Sequence, residues 1–174
     1  MKQSSLKFAA ILFIGVNAVF SSCTDSPEKT GSNAAVMPTF SLDSVKEAIT
    51  ANNKLYGESF ATNDSAKFVN SYTSDACIYV SNMPKMCGPQ PITAFFNGAY
   101  KMGIRNLILT TSEVTGGAEA VAETGSYELH ADKGQVIDKG KYIVIWKEEN
   151  GKWKMHRDIW NTDMPATGPP AAKK

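Results

Sequence analysis

Four extended segments occupy the second half of the chain, and short turn signals separate them. The segments run from Ile104 to Thr115, Ala118 to His130, Val136 to Glu149 and Lys152 to Trp160. Gly116-Gly117, Asp132-Lys133-Gly134 and Asn150-Gly151 lie between them, and Asn-Gly is the strongest two-residue hairpin signal. Connections this short join antiparallel neighbours, so the pattern predicts a meander of antiparallel strands.

Three helical segments and one short strand precede the meander. Each helix begins at a residue type that favours a helix N-terminus: Ser41, Asp64 and Pro91. Hydrophobic residues from Leu42 to Phe60 recur at steps of three or four, which predicts a long first helix. Ala76–Val80 is an apolar run of strand type that separates the second and third helices. Helices followed by a meander predict an α+β domain with helices packed on one sheet face.

The N-terminal residues have the features of an export signal. A basic head precedes the apolar run from Phe8 to Phe20, which is too short to span a bilayer comfortably. We therefore predict a signal peptide over residues 1–22. The stretch FSSC, which ends at Cys23, resembles a bacterial lipobox, in which the cysteine is lipidated and becomes the mature N-terminus. The alternative is an uncleaved anchor beside an ordinary cysteine, and both alternatives place the domain outside the cytoplasm.

Composition divides the rest of the chain and argues against one class of partner. Residues 23–39 are polar and predict a flexible tether, residues 40–164 carry the hydrophobic periodicity of a folded domain, and residues 165–174 are a low-complexity tail. Eighteen basic and seventeen acidic residues leave a formal charge of +1. Nucleic-acid binding needs a clustered basic face, so we predict no nucleic-acid partner.

Three stretches of the folded region resemble the NTF2-like superfamily, and specifically its SnoaL-like or DUF4440 branch, which is related to ketosteroid isomerase. They are FATNDSAKFVNSYTSDACIYV from Phe60 to Val80, ETGSYEL from Glu123 to Leu129, and GKYIVIWKEENGKWKMHRDIWNTDMP from Gly140 to Pro165. The resemblance implies a curved mixed or antiparallel sheet wrapped around about three helices, with a conical cavity between them. It also implies a homodimer that forms through the outer face of the sheet.

The isomerase residues of that superfamily are only partly present. The resemblance matches Tyr56 to the tyrosine that polarises the substrate oxygen, but it places the aspartate base at Val80 and the second acid near Ile143. Without a carboxylate to take the proton, that mechanism loses its central step. Whether the chain is an enzyme therefore stays open. The catalytic candidates are His156 and Asp158, which would share a strand face if side chains alternate strictly, or would form a surface pair.

Six residues are predicted to bind a ligand in the cone. Strict alternation places Arg157 on the same face as Trp153 and Met155, where a buried guanidinium needs an anionic ligand or a structural partner such as Glu123. The other five candidates are aromatic residues that could equally fill the core: Tyr56, Phe60, Tyr79, Phe96 and Trp146.

The remaining cysteines and the histidines limit the chemistry further. Cys77 and Cys87 flank a predicted turn, and the sequence leaves open whether they form a disulfide or stay as two buried thiols. The chain has two histidines and lacks the HExxH and Cys-x-x-Cys patterns, so we predict neither a metal nor another cofactor.

Three functions are compatible with these features. The leading hypothesis is a lipid-anchored domain outside the cytoplasm that binds a small, mostly apolar ligand with one acidic or carbonyl group. The second is an enzyme of the isomerase, dehydratase or cyclase kind with a nonstandard base. The third is a structural dimerisation domain whose cone is filled by its own side chains.

Overall fold

A computed structural model describes residues 39–165. The predicted signal peptide, Cys23, almost all of the predicted tether and the tail beyond Pro165 lie outside the described residues. Within residues 39–165, no helix combines the length and the apolar character that crossing a membrane requires.

Three helices form one layer of the domain: α1 (Leu42–Thr62), α2 (Ser65–Asn70) and α3 (Pro89–Lys101). The side chain of Ser41 accepts a hydrogen bond from the backbone N–H of Ser44, and the side chain of Asp64 does the same for Lys67. Both predicted N-caps are therefore present. Helix α3 begins two residues before Pro91, directly after Gly88, whose positive φ turns the chain into the helix.

Six strands form a single mixed sheet in the order β2-β1-β6-β5-β4-β3. They are β1 (Tyr72–Tyr79), β2 (Met86–Cys87), β3 (Asn106–Gly117), β4 (Ala120–His130), β5 (Val136–Glu149) and β6 (Lys152–Thr162). Strands β3 to β6 form the predicted antiparallel meander, whereas β1 runs parallel to β6. Three helices on a mixed sheet confirm the predicted α+β class.

The core lies between the helices and the inner face of the sheet. The rings of Tyr56, Phe60, Phe68 and Phe96 pack together there, with centroids 4.5–5.5 Å apart between neighbours. Helix α1 approaches β3 so closely that a Cβ atom on Gly57 would lie 2.3 Å from a backbone oxygen of the strand. This packing leaves a space between α1, α3 and the central strands.

Candidate functional site

A cavity of about 70 Å³ lies between the helices and the inner face of the sheet. Its walls come from α1, α3 and the four strands of the meander, and most of them are apolar, among them Phe60, Phe95, Leu109, Val144 and Met155. The polar atoms at its walls belong to three tyrosines, one tryptophan and one carboxylic acid: Tyr56, Tyr127, Tyr142, Trp160 and Asp158.

The carboxyl group of Asp158 ends a chain of hydrogen bonds. Its Oδ2 atom accepts from the hydroxyl of Tyr72 at 2.7 Å, and the Tyr72 oxygen lies 2.8 Å from the hydroxyl of Tyr56. A tyrosine has one hydroxyl hydrogen, so Tyr72 donates to Asp158 and Tyr56 donates to Tyr72. The other carboxyl oxygen of Asp158, Oδ1, has no hydrogen bond to any residue in the range 39–165. Asp158 thus offers a free acceptor at the wall of the cavity.

Burial changes the acidity of this group. The side chain is almost completely buried, and burial raises the pKa of Asp158 to about 7, while the hydrogen bond from Tyr72 lowers that pKa and the nearby charge of Glu123 raises it. Burial also raises the pKa of Tyr56 and of Tyr72 well above the usual value, so both hydroxyls stay protonated. A carboxyl group with a pKa near neutrality can gain or lose a proton at the pH of the cell.

A second buried carboxylate, that of Glu123, has a structural environment. It is fully buried and accepts four hydrogen bonds, from Asn53 Nδ2 at 2.8 Å, Thr111 Oγ1 at 2.6 Å, Tyr142 OH at 2.7 Å and Trp146 Nε1 at 2.9 Å. These donors belong to α1, β3 and β5, so the carboxylate of β4 joins one helix and three strands. Because both of its oxygens accept hydrogen bonds from neighbouring elements, Glu123 has a structural role, and Asp158 is the carboxyl group with a free oxygen.

The predicted alternation along β6 is wrong because the strand contains a β-bulge. Ile145 pairs with Arg157 but the next residue, Trp146, pairs with Met155, so His156 is an extra residue in β6. The bulge reverses the alternation, and Met155 and Asp158 both line the cavity. Strict alternation would have separated these two side chains.

Arg157 is therefore absent from the cavity wall, contrary to the prediction. Its Nη1 atom donates to the backbone oxygen of Asp75 at 3.2 Å and to that of His156 at 2.7 Å. It contacts neither the cavity nor Glu123. The side chain of Arg157 is only partly buried, so its charge does not need an anionic ligand.

The predicted pairing of His156 with Asp158 is also wrong. Nδ1 of His156 lies 3.0 Å from Thr73 Oγ1 and 3.3 Å from Asp75 Oδ1, on β1. Burial and the charge of Arg157 lower the pKa of His156, which favours the neutral imidazole. His156 does not line the cavity, so it cannot act as a base there.

The five aromatic candidates separate into three groups. Tyr56 and Phe60 line the cavity. Phe96 packs within the aromatic core, and Trp146 is fully buried with its Nε1 atom on the Glu123 carboxylate, so neither reaches the cavity. Tyr79 pairs across the sheet with an exposed isoleucine of β6 and lies on an outer groove, not in the cone.

Sequence reasoning missed two groups of site residues. The spacing of Tyr72 from Phe68 is that of two residues on one helix face, but α2 ends at Asn70 and Tyr72 begins β1. The run Tyr72-Thr73 is of strand type, and that was the signal available. Apolar periodicity was the only sequence signal for the second group, and it does not distinguish cavity residues from core residues. This group comprises Phe95, Tyr127, Tyr142 and Trp160.

The structure joins Cys77 and Cys87 through a disulfide. The two residues lie directly opposite each other on β1 and β2, with their Cα atoms 4.1 Å apart. Of the two alternatives that the sequence left open, the structure has the bridged one. Across residues 39–165, no group of three or more His, Cys, Asp or Glu side chains is arranged to hold a metal ion.

Solved structures share this arrangement of helices and strands. An NTF2-like protein with a cystatin-like fold from Novosphingobium aromaticivorans superposes with a TM-score of 0.64 at 13% identity, over 72% of this chain and 86% of that one. The chain has the NTF2-like fold. A ketosteroid isomerase-like protein from Erwinia carotovora atroseptica gives a TM-score of 0.57 at 16% identity, over 68% of this chain and 96% of that one.

A second NTF2-like protein, of unknown function and from Shewanella oneidensis, gives a TM-score of 0.57 at 16% identity, over 67% of this chain and 98% of that one. No protein-family model and no curated protein matches the sequence. The superpositions establish the NTF2-like fold. At identities this low they show the fold alone, so membership of the SnoaL-like or DUF4440 branch stays a prediction.

Proposed function

We propose that this NTF2-like domain binds a small, mostly apolar ligand in its conical cavity, with Asp158 as the polar anchor. The observation that carries the proposal is the free Oδ1 atom of a buried carboxyl group at the wall of an otherwise apolar cavity. Binding sites of this kind combine apolar walls with a few placed polar groups, and a free acceptor at such a wall can receive a hydrogen bond from a ligand.

The cavity limits the ligand in size and in charge. Its volume of about 70 Å³ is well below the ~300–1,000 Å³ of ordinary ligand pockets, so the enclosed part of the ligand has only a few heavy atoms. No Arg, Lys or His is among the residues that line it. An acidic ligand group, which the sequence had allowed on the basis of Arg157, would face Asp158 without a cation and is therefore excluded from the proposal.

We also propose that the domain is anchored outside the cytoplasm through lipid on Cys23. The lipobox-like FSSC supports the anchor, and the disulfide between Cys77 and Cys87 supports an oxidising compartment, where such bonds persist. Replacing Cys23 by Ser in the full-length chain should move the protein out of the membrane fraction. Retention of the variant in that fraction would contradict the lipid anchor.

A homodimer through the outer sheet face is the partner that we propose. Ile143 and Ile159 lie directly opposite each other on that face with about half of each side chain exposed, and a second copy would bury them. The native mass of the full-length chain in detergent should be that of two chains. An Ile159→Lys variant should give one, whereas a dimer that survives the substitution would place the interface elsewhere.

A second candidate function is proton transfer by Asp158. Its pKa of about 7 is suited to general acid–base catalysis, and it is the one catalytic candidate from the sequence that lines the cavity. Turnover separates the two functions, because an enzyme would convert its substrate and lose that activity in Asp158→Asn, whereas a binding protein would release its ligand unchanged.

Native mass spectrometry of the full-length chain, purified in mild detergent, tests the binding proposal. An additional mass that denaturation releases would identify the bound compound. Ala99 is buried at the cavity wall, so Ala99→Leu should fill the space and remove that mass. Gly98→Ala, one residue earlier on the exposed side of α3, is the matched control and should keep it. A bound mass that persists in a folded Ala99→Leu protein would refute binding in the cone.

A further inference from the structure

The cavity contains an acid without a counter-charge. Asp158 is almost completely buried, and a second fully buried carboxylate, Glu123, lies close enough to influence it. Arg157, the nearest cationic side chain along β6, donates to backbone oxygens away from the cavity. The wall contains no cation, so an ionised Asp158 has no partner for its charge among the described side chains.

The tyrosine hydroxyl hydrogens at this site are already used in hydrogen bonds within the protein. Tyr56 donates to Tyr72, and Tyr72 donates to Oδ2 of Asp158, so both hydroxyl hydrogens are used before a ligand arrives. Tyr127 donates to Asp138, and Tyr142 donates to Glu123. The tyrosines therefore offer no free hydrogen to a ligand carbonyl, while Asp158 Oδ1 offers a free acceptor to a ligand N–H.

Aromatic rings line the same cavity as Asp158. Phe60, Phe95 and Trp160 line the cavity together with the three tyrosines, and the rings of Phe95 and Trp160 are 5.6 Å apart. The faces of aromatic rings carry partial negative charge and attract a cation within about 6 Å of the ring centre. A carboxylate and several aromatic rings that line one small space are the groups from which ammonium sites are built.

We propose that the ligand of the cavity is a small organic amine in its cationic form, whose ammonium group donates to Asp158 Oδ1 and whose apolar body fills the space beside Leu109 and Val144. This inference rests on the proposed function and names the class of its ligand. The ammonium ion supplies the missing counter-charge and a hydrogen-bond donor at the same time. A neutral carbonyl compound would supply neither.

The direction of the pH dependence follows from the groups that face Asp158. These are Tyr56 on α1, Tyr72 on β1, Glu123 on β4 and Tyr142 on β5, and the side chains that α3 and β3 contribute to the wall are apolar. A cationic amine binds the ionised carboxylate. With a pKa of about 7, the ionised fraction of Asp158 is about 1/11 at pH 6 and 10/11 at pH 8, so amine affinity should rise about tenfold between them.

Three compounds with the same four-heavy-atom skeleton test the inference: isopropylamine, isopropanol and acetone. Each is titrated into the full-length chain in detergent at pH 6 and pH 8, and the amide resonances of Leu109, Val144 and Asp158 report binding. Isopropylamine stays cationic at both pH values because alkylamines titrate near pH 10. We expect it to bind best, and about tenfold more tightly at pH 8 than at pH 6.

Two variants complete the test. Asp158→Asn should lose isopropylamine binding and its pH dependence while keeping the same shifts with isopropanol. Asp163→Asn, which removes a half-exposed carboxylate just after β6, should behave like the wild type.

Stronger binding of acetone or isopropanol than of isopropylamine at pH 8, or amine binding that survives Asp158→Asn, would overturn the inference and leave the proposed function intact. If none of the three compounds shifts these resonances, the inference is overturned, and the native mass of the wild type and of Ala99→Leu decides the proposed function separately.

Discussion

Replacing Asp158 by Asn should change how the stability of the protein depends on pH. Burial raises the pKa of Asp158 from 3.8 to about 7, a difference of about 3 pH units. At 1.36 kcal/mol per unit, this corresponds to about 4 kcal/mol of unfolding free energy, as an upper estimate. That amount is a large part of the ~5–15 kcal/mol by which a typical domain is stable.

The sign follows from proton binding in the two states. Between about pH 4 and pH 7 the folded protein keeps the Asp158 proton while the unfolded chain has lost it. The folded state binds more protons, so this group makes the wild type less stable as the pH rises through that window. The contribution is favourable to folding at low pH and is fully lost above about pH 8. An asparagine cannot ionise, so the stability of the variant does not decrease for this reason as the pH rises.

Urea denaturation of the full-length wild type and of Asp158→Asn at several pH values between 4 and 8 measures the effect. The free energy of unfolding of the variant minus that of the wild type should increase with pH, by up to about 4 kcal/mol over the range. The contributions of the other titrating groups to the unfolding free energy are the same in both proteins and cancel in the subtraction. The difference for Asp163→Asn, at a half-exposed carboxylate, should vary by less than about 1 kcal/mol. A difference that stays flat for Asp158→Asn would refute the burial argument.

Three further changes test the packing around the site. Glu123→Gln should lower the free energy of unfolding by about 3 kcal/mol in urea titrations, because an amide cannot accept all four of the hydrogen bonds that the carboxylate accepts. An unchanged free energy of unfolding would show that these four hydrogen bonds make no net contribution to stability. Reducing the bond between Cys77 and Cys87, ten residues apart, should cost about 3 kcal/mol, seen as a lower melting temperature with reductant than without it. Gly57→Ala should lose about 1–3 kcal/mol because its Cβ would meet a backbone oxygen of β3, whereas Gly98→Ala, with open space around it, should gain about 0.5–1 kcal/mol. Equal thermal stabilities of these two variants would contradict the close packing of α1 on β3.

The sequence by itself determined the elements whose signals are local. The Asn150-Gly151 turn is present with both residues at positive φ, between strands that end at Glu149 and begin at Lys152 as predicted. Caps at Ser41 and Asp64 fixed the starts of two helices. These features depend on a few neighbouring residues, and so the sequence contains the information that specifies them.

The tertiary structure decided which side chains meet. The bulge at His156 arises from the pairing of β6 with β5, and this one extra residue brought Asp158 to the cavity wall and removed Arg157 from it. Tyr72 reaches Asp158 across 86 positions of sequence, and the raised pKa of Asp158 follows from burial by the whole domain. Strand register and burial both depend on contacts between residues that are distant in sequence. The residue pattern of one strand therefore cannot specify them.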